Sequence, residues 1–191
     1  MNQTIQALTI TGKGKLRDIQ LPVEVGLAVS LGNIFGIAET KEKAIAIWDT
    51  GANGTAISTR LANKLQLQTI RMTQVHGAGG LKDSRVFKID VRIPNPLVNI
   101  IDVEATEFVD NGVCDLLIGM DIINLGDFSI TNADNKTVFS FRIPPADKHI
   151  DYVQELNDLN AARGVADLKA AQKIENQARI RKFKKQNRHR H

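Results

Sequence analysis

The sequence predicts an all-β domain followed by a helical, basic extension. Three observations lead there. From about Ile5 to Ile143, short apolar or alternating runs are separated by Gly, Pro, Asn and Asp, which is the pattern of strands and turns. Helical spacing is scarce in that stretch and sets in only after Pro144-Pro145, where the composition shifts to Gln, Asn, Ala, Lys and Arg. Finally, 191 residues with 42% apolar content can bury one sizeable core but are few for two. The division expected is residues 1–145 as the domain and 146–191 as the extension.

Taken in order, strands are expected at Ala7 to Thr11, Leu16 to Val25, Ala28 to Ile37, Lys43 to Trp48, Gln68 to Val75, Ser84 to Ile93, Val98 to Glu107, Asp115 to Ile118, Phe128 to Thr131 and Thr137 to Arg142. The last two are joined by Asp134-Asn135-Lys136, a hairpin turn in which Asn and Asp tolerate the left-handed backbone. Two short helices interrupt the strands. Ser58 to Leu65 follows a Thr/Ser-rich start suited to capping, and Met120 to Leu125 lies between Gly119 and Gly126. Beyond the two prolines, Ile150, Val153, Leu156 and Leu159 recur at helical spacing, then Val165, Leu168, Ile174 and Ala178. So thin a stripe fits a helix lying on the domain or on another chain.

Charge and cysteine content narrow the function classes. Seven of the 25 Lys and Arg fall within Arg179 to His191, which has no acid, so the rest of the chain carries 18 basic against 21 acidic residues. The net charge of +4 therefore belongs to a tail. A single cysteine, Cys114, excludes an internal disulfide framework and a multi-cysteine metal site, and predicts a reducing compartment with Cys114 as a small buried hydrophobe. The start Met1-Asn2-Gln3-Thr4-Ile5 lacks a signal-peptide pattern, and no apolar run reaches transmembrane length, so a soluble cytoplasmic protein is expected. Gly77-Ala78-Gly79-Gly80 lacks the Lys-Ser/Thr of a phosphate loop and opens onto no helix, which excludes a nucleotide site of that kind.

The stretch with most chemical content is Ile47-Trp48-Asp49-Thr50-Gly51-Ala52. An apolar strand here enters a tight turn that aims one carboxylate outward, with Gly51 allowing close backbone approach and the Thr50 hydroxyl free to bond across the turn. Alone, Asp-Thr-Gly favours an ordinary Asx-turn. Two further stretches follow it: Val75-His76-Gly77-Ala78-Gly79-Gly80, a glycine-rich hairpin tip, and Leu116-Leu117-Ile118-Gly119-Met120-Asp121, an apolar strand running into a short helix.

Together these resemble the retropepsin-like aspartic peptidases, in the order Asp-Thr/Ser-Gly-Ala turn, glycine-rich flap, apolar strand into Gly-x-Asp/Asn, and closing strand, over roughly residues 20 to 143. The resemblance implies an acid-protease barrel in which Asp49, Thr50 and Gly51 form the catalytic turn, while Ala52, His76, Gly77, Ala78, Gly79 and Gly80 meet a polypeptide substrate. Hydrolysis by this route needs two carboxylates about one water apart, one accepting the water's proton and the other, protonated, polarising the scissile carbonyl. The chain has one such turn. The resemblance therefore implies a homodimer with an Asp49 from each copy, no metal or organic cofactor, and paired Thr50 residues linking the two turns.

Met120 stands where the retroviral type often has an Arg that braces the dimer, as in the bacterial members and the eukaryotic DNA-damage-inducible relatives. His76 replaces a typically apolar flap residue, and the expected C-terminal hairpin replaces a single interleaving strand. Two rival readings remain at this level: a catalytically inactive module of the same fold that dimerises or binds peptide, and a nucleic-acid contact through Arg179 to His191, against which stands a plain solvated basic end.

Overall fold

The computed structural model describes residues 4–187 apart from 78–79, 95–96 and 111. They fall into two units, divided between Ala146 and Asp147. In the first, strands β1 (Gln6–Thr11), β2 (Gln20–Leu27), β3 (Lys41–Trp48), β4 (Ala56–Ser58), β5 (Arg71–Gly77), β6 (Gly80–Ile93), β7 (Val98–Phe108), β8 (Leu116–Ile118), β9 (Asp127–Thr131) and β10 (Val138–Ile143) are joined by three short helices, α1 (Val29–Phe35), α2 (Thr59–Lys64) and α3 (Met120–Ile123). The expected all-β class holds.

The strands form two sheets. One runs β2-β3-β8-β4-β7-β6-β5 and closes on itself through β2 and β6, giving a six-stranded ring with β5 as an outer strand. Closure removes exposed edges from all but the β5–β6 hairpin. The ring is filled by aliphatic side chains, among them Val23, Val25, Ile57, Ile89, Val91, Leu116 and Ile118, each at most 1% exposed. The other sheet, β1-β10-β9, is antiparallel throughout. Its Phe139 and Phe141, both buried, lie against Trp48 at ring-centroid distances of 4.9 and 4.7 Å, and Phe128 completes the group at 6.0 Å. Tilted aromatic contacts of this kind add to the burial of the rings themselves. The residue before Asp49 is thus anchored to the second sheet. Cys114 is buried.

Two expectations need correction. Residues 28–37 form not a strand but α1, ended by Gly36 in the left-handed region (φ 65°). Alternating apolar residues suggested a strand, yet none of the helix is buried; instead the Asp90 carboxylate accepts the Val29 amide at 3.0 Å, and the Ser30 hydroxyl bonds Asp102. Tertiary capping, with Leu31 half-buried against the core, makes this helix. The second strand begins at Gln20 rather than Leu16, and β4 had no sequence signal, being three residues long and paired only with the distant β7 and β8. The α2 and α3 helices lie where expected, with the Ser58 hydroxyl accepting the Leu61 amide at 3.1 Å. At the predicted turn, Asp134 and Asn135 both have positive φ.

The second unit contains α4 (Tyr152–Asn187), one continuous helix whose described side chains are all exposed, including Val153, Leu156, Leu159 and Leu168. Asp151 starts it by accepting the Val153 and Gln154 amides. Residues 188–191, with His189 and His191, lie outside the described residues. Among the described residues no helix is long and apolar enough to cross a membrane.

An ion pair fixes the base of the β5–β6 hairpin to β7. The Arg85 guanidinium bonds Glu107, with Nε to Oε2 at 2.9 Å, and also reaches Asn63 on α2. The Arg85 hydrogen bond, partly opposed by burial, holds the Glu107 carboxyl below the ordinary glutamate range. A carboxyl lowered in this way contributes stability above its unfolded pKa of about 4.3 and loses it as pH falls through the folded value. Glu107→Gln should therefore flatten the fall in stability below about pH 4, measured as urea midpoints across an acid series.

Candidate active site

Local topology decides where Asp49 lies. β3 and β8 are parallel, with Trp48 opposite Ile118, so the residues that follow, Asp49 and Gly119, leave the sheet at the same end. β4 then returns antiparallel on the far side of β8, with Ala56 opposite Leu117. Residues 49–55 must cross the end of β8 to get there. Gly119 is what they cross: a Cβ on it would stand 2.5 Å from the carbonyl carbon and oxygen of Gly54 and 3.0 Å from the Ala52 oxygen. Only glycine admits so close a pass.

The crossing is tied down by backbone and by one acid. The Asp49 amide donates to Ile118 O at 2.9 Å, the Ala52 amide to Asp49 O at 3.2 Å, and the Met120 amide to Ala52 O at 2.8 Å. Within the turn the Gly51 amide donates to Asp49 Oδ1 at 2.9 Å, so the carboxylate is oriented by its own loop. Among the described residues nothing else donates to it. Thr55, fully buried, gives its hydroxyl to Asp121 Oδ1 at 2.8 Å and its backbone amide to Oδ2 at 3.0 Å, while the Ile122 amide also reaches Oδ1 at 2.9 Å. Asp121 at the start of α3 therefore clamps the far end of the turn. Charge-assisted bonds of this kind are about twice as strong as neutral ones.

Of the site residues read from the sequence, Asp49, Thr50, Gly51 and Ala52 share this single turn, Asp49 half-buried and Thr50 exposed. His76, Gly77 and Gly80 lie at the tip of the β5–β6 hairpin, where His76 pairs with Leu81 and Gly77 with Gly80. Gly80 has φ 91°, a conformation that favours glycine. Ala78 and Gly79 fall outside the described residues. Among the described residues no hydrogen bond joins the hairpin tip to the turn. Thr55 was missed; a buried threonine between glycine and an apolar strand start was its one signal.

A second ionic group braces the start of β8. Asp115, 9% exposed, accepts the Ile45 amide at 3.1 Å and bonds Arg60, which also reaches Asp110 through Nε at 2.8 Å. The Gly112 amide, followed by Arg60, holds the Asp110 carboxyl below its usual range. Among the described residues no group of three or more His, Cys, Asp or Glu is placed to hold a metal ion.

The site is thus a closed β-ring with an acid-bearing turn crossed over a glycine and clamped to a short helix, which fits the resemblance drawn from the sequence. Comparison with known families agrees: residues 32–122 match the model described as aspartyl protease, a span that includes the turn, the hairpin and the strand into Asp121. The resemblance to retropepsin-like aspartic proteases drawn from the sequence therefore holds over that span. Similar solved structures are a retropepsin-like aspartic protease from Rickettsia conorii (14% identity, 74% of this chain and 98% of that one, TM-score 0.43), the protease of simian foamy virus (15%, 55% and 93%, 0.34) and the retroviral protease-like domain of Ddi1 from Leishmania major (16%, 62% and 91%, 0.33). No curated protein matches the chain.

Gly119→Ala should force the crossing apart. Overpacking of this kind costs about 1–3 kcal/mol, so a lowered urea midpoint is expected, together with loss of whatever activity Asp49 supports. An unchanged midpoint would mean that the crossing is looser than the 2.5 Å approach requires.

Proposed function

We propose that the chain is an aspartic endopeptidase that works as a homodimer, one Asp49 from each copy flanking a single water. The observation that carries this reading is the Asp49 turn itself, a lone carboxylate aimed by the Gly51 amide on a backbone fixed at both ends. A carboxylate so held is oriented before substrate arrives, which is where positioning lowers a barrier. One copy supplies one carboxylate. A twofold pairing supplies the second and places two like charges close enough to share a proton.

In that arrangement the ionised Asp49 takes a proton from water as its oxygen adds to the scissile carbonyl carbon, while the protonated Asp49 of the other copy donates to the carbonyl oxygen. The tetrahedral diol then collapses: a proton passes to the amide nitrogen, the C–N bond breaks, and a carboxylic acid and an amine leave. No cofactor enters. The β5–β6 hairpins, with His76, Gly77 and Gly80 toward their tips, would close over an extended peptide and offer it backbone groups as an added strand would. Ala52 would contact that peptide beside the turn.

For the twofold contact we place the open edge of β9. β9 ends the second sheet, so its outer amides and carbonyls face no strand among the described residues. Its sequence, Asp127-Phe128-Ser129-Ile130-Thr131, contains no Lys or Pro to discourage pairing, and Ile130 is 44% exposed. Through Phe128 the same strand touches Trp48, next to Asp49.

Asp49→Asn should lower cleavage of unstructured peptides at least about a thousandfold, the scale seen when a core catalytic group is removed from other hydrolases. Mixed in excess with the wild type it should also suppress wild-type activity by forming mixed dimers; cleavage that persists in Asp49→Asn would sink the peptidase reading. Ile130→Lys should shift the chain to monomer by sedimentation while the circular dichroism spectrum stays unchanged. A dimer that survives this change would move the interface elsewhere.

A further inference from the structure

We propose that Asn53, in the turn that carries Asp49, is a modification site: its side-chain amide is lost spontaneously through a cyclic imide closed by the Gly54 amide, which alters the crossing over Gly119 in length and in charge. This inference goes beyond the peptidase reading and does not rest on it, since it concerns how long the turn stays intact.

The chemistry needs an asparagine side chain free to rotate, a following backbone N–H free to lose its proton, and no Cβ on the following residue to obstruct the approach. The deprotonated Gly54 nitrogen attacks Asn53 Cγ. A new C–N bond forms there, the bond from Cγ to the side-chain nitrogen breaks, and ammonia leaves with a proton taken from water. Water then opens the imide at one of its two carbonyls. Opening at the side-chain carbon restores the ordinary peptide with an aspartate at position 53. Opening at the main-chain carbon leaves an isoaspartyl residue, whose backbone runs through the side chain and is longer by one methylene.

The sequence holds two Asn-Gly pairs, Asn53-Gly54 and Asn111-Gly112. The structure treats their glycines differently. Asn53 and Gly54 are both exposed. Among the described residues neither the Asn53 side chain nor the Gly54 amide has a hydrogen-bond partner, and a Cβ built on Gly54 would meet nothing within 4 Å. Asp121, the carboxylate that holds Thr55, has both oxygens occupied by Thr55 and the Ile122 amide. In the second pair, by contrast, the Gly112 amide donates to Asp110 Oδ1 at 2.8 Å. A proton held by a carboxylate is harder to remove, and the anion left behind would face a like charge. Asn111 itself lies outside the described residues. Of two glycine amides that the sequence presents alike, that of Gly54 is the one open to reaction.

The turn has no slack for the longer product. Its near side is fixed where Ala52 O accepts the Met120 amide, and its far side where Thr55 bonds Asp121, so the added methylene would fall between two closely spaced anchors. Between them the Gly54 carbonyl already passes Gly119 so closely that a Cβ there would stand 2.5 Å from it. Either product also adds a carboxylate, ionised at neutral pH, to the turn that carries Asp49.

The test is ageing of the folded protein in mildly alkaline buffer, followed by peptide mapping with mass spectrometry that separates the asparagine, aspartate and isoaspartyl forms. Asn53 should convert to both acidic forms at least about tenfold faster than Asn111, the scale of one hydrogen bond to a charged group. In urea, with the fold removed, the two should convert at similar rates. The urea midpoint of the aged wild type should fall as conversion proceeds, while that of aged Asn53→Gln, whose longer side chain cyclises far more slowly, should hold. The site is overturned if Asn53 stays intact in the folded protein yet converts in urea, if Asn111 keeps pace with it in the folded protein, or if their difference persists in urea. Conversion at Asn53 with an unchanged midpoint overturns the effect on the crossing. None of these readings needs peptidase activity, so their failure leaves that proposal untouched.

Discussion

The crossing of residues 49–55 over the end of β8 is the constraint on which the site depends. Parallel pairing of β3 with β8 puts two chain exits side by side, and the return into β4 obliges one to pass over the other. Backbone bonds alone could hold the near side, where Asp49, Ala52 and Met120 alternate as donors and acceptors. The far side needs a side chain, because Thr55 is buried and its hydroxyl and amide would otherwise be unsatisfied. Asp121 answers both. A carboxylate is well suited here, since one oxygen can serve Thr55 Oγ1 and Ile122 N while the other serves Thr55 N.

The same constraint separates two acids that are near each other in chain and in kind. Asp121 spends both oxygens on amides and a hydroxyl, so it is structural. Asp49 receives one amide from its own turn and retains acceptor capacity. Packing behind the turn supports that difference: Trp48 is buried among Phe128, Phe139 and Phe141, and its indole N–H has no partner among the described residues. Leaving such a donor buried costs about 1–3 kcal/mol, which the aromatic burial must more than offset.

Much of this could be read from the residues. The Asp49 turn, the hairpin glycines Gly77 and Gly80 and the strand into Gly119 are local patterns, and each lies where expected, because Gly and Asp impose backbone geometry wherever they stand. What escaped was non-local. β4 exists only through its neighbours β7 and β8, and α1 exists because Asp90 and Asp102, on other strands, bind its first residues. Thr55 has no local signal of its role, because the partner of its hydroxyl, Asp121, lies 66 residues further on. Alternation in Ala28 to Ile37 pointed to a strand since periodicity reports apolar faces, and α1 has no buried face to report.

That 66-residue separation also sets an order of events. The turn around Asp49 is complete only when Gly119 and Asp121 have arrived beneath it, and long-range pairings of this sort are late and slow steps in folding. During synthesis, a chain ending before Asp121 would carry the acid on an unclamped loop. The carboxylate would be present without its anchored turn, so its placement is acquired near the end of the barrel's assembly rather than with the residue itself.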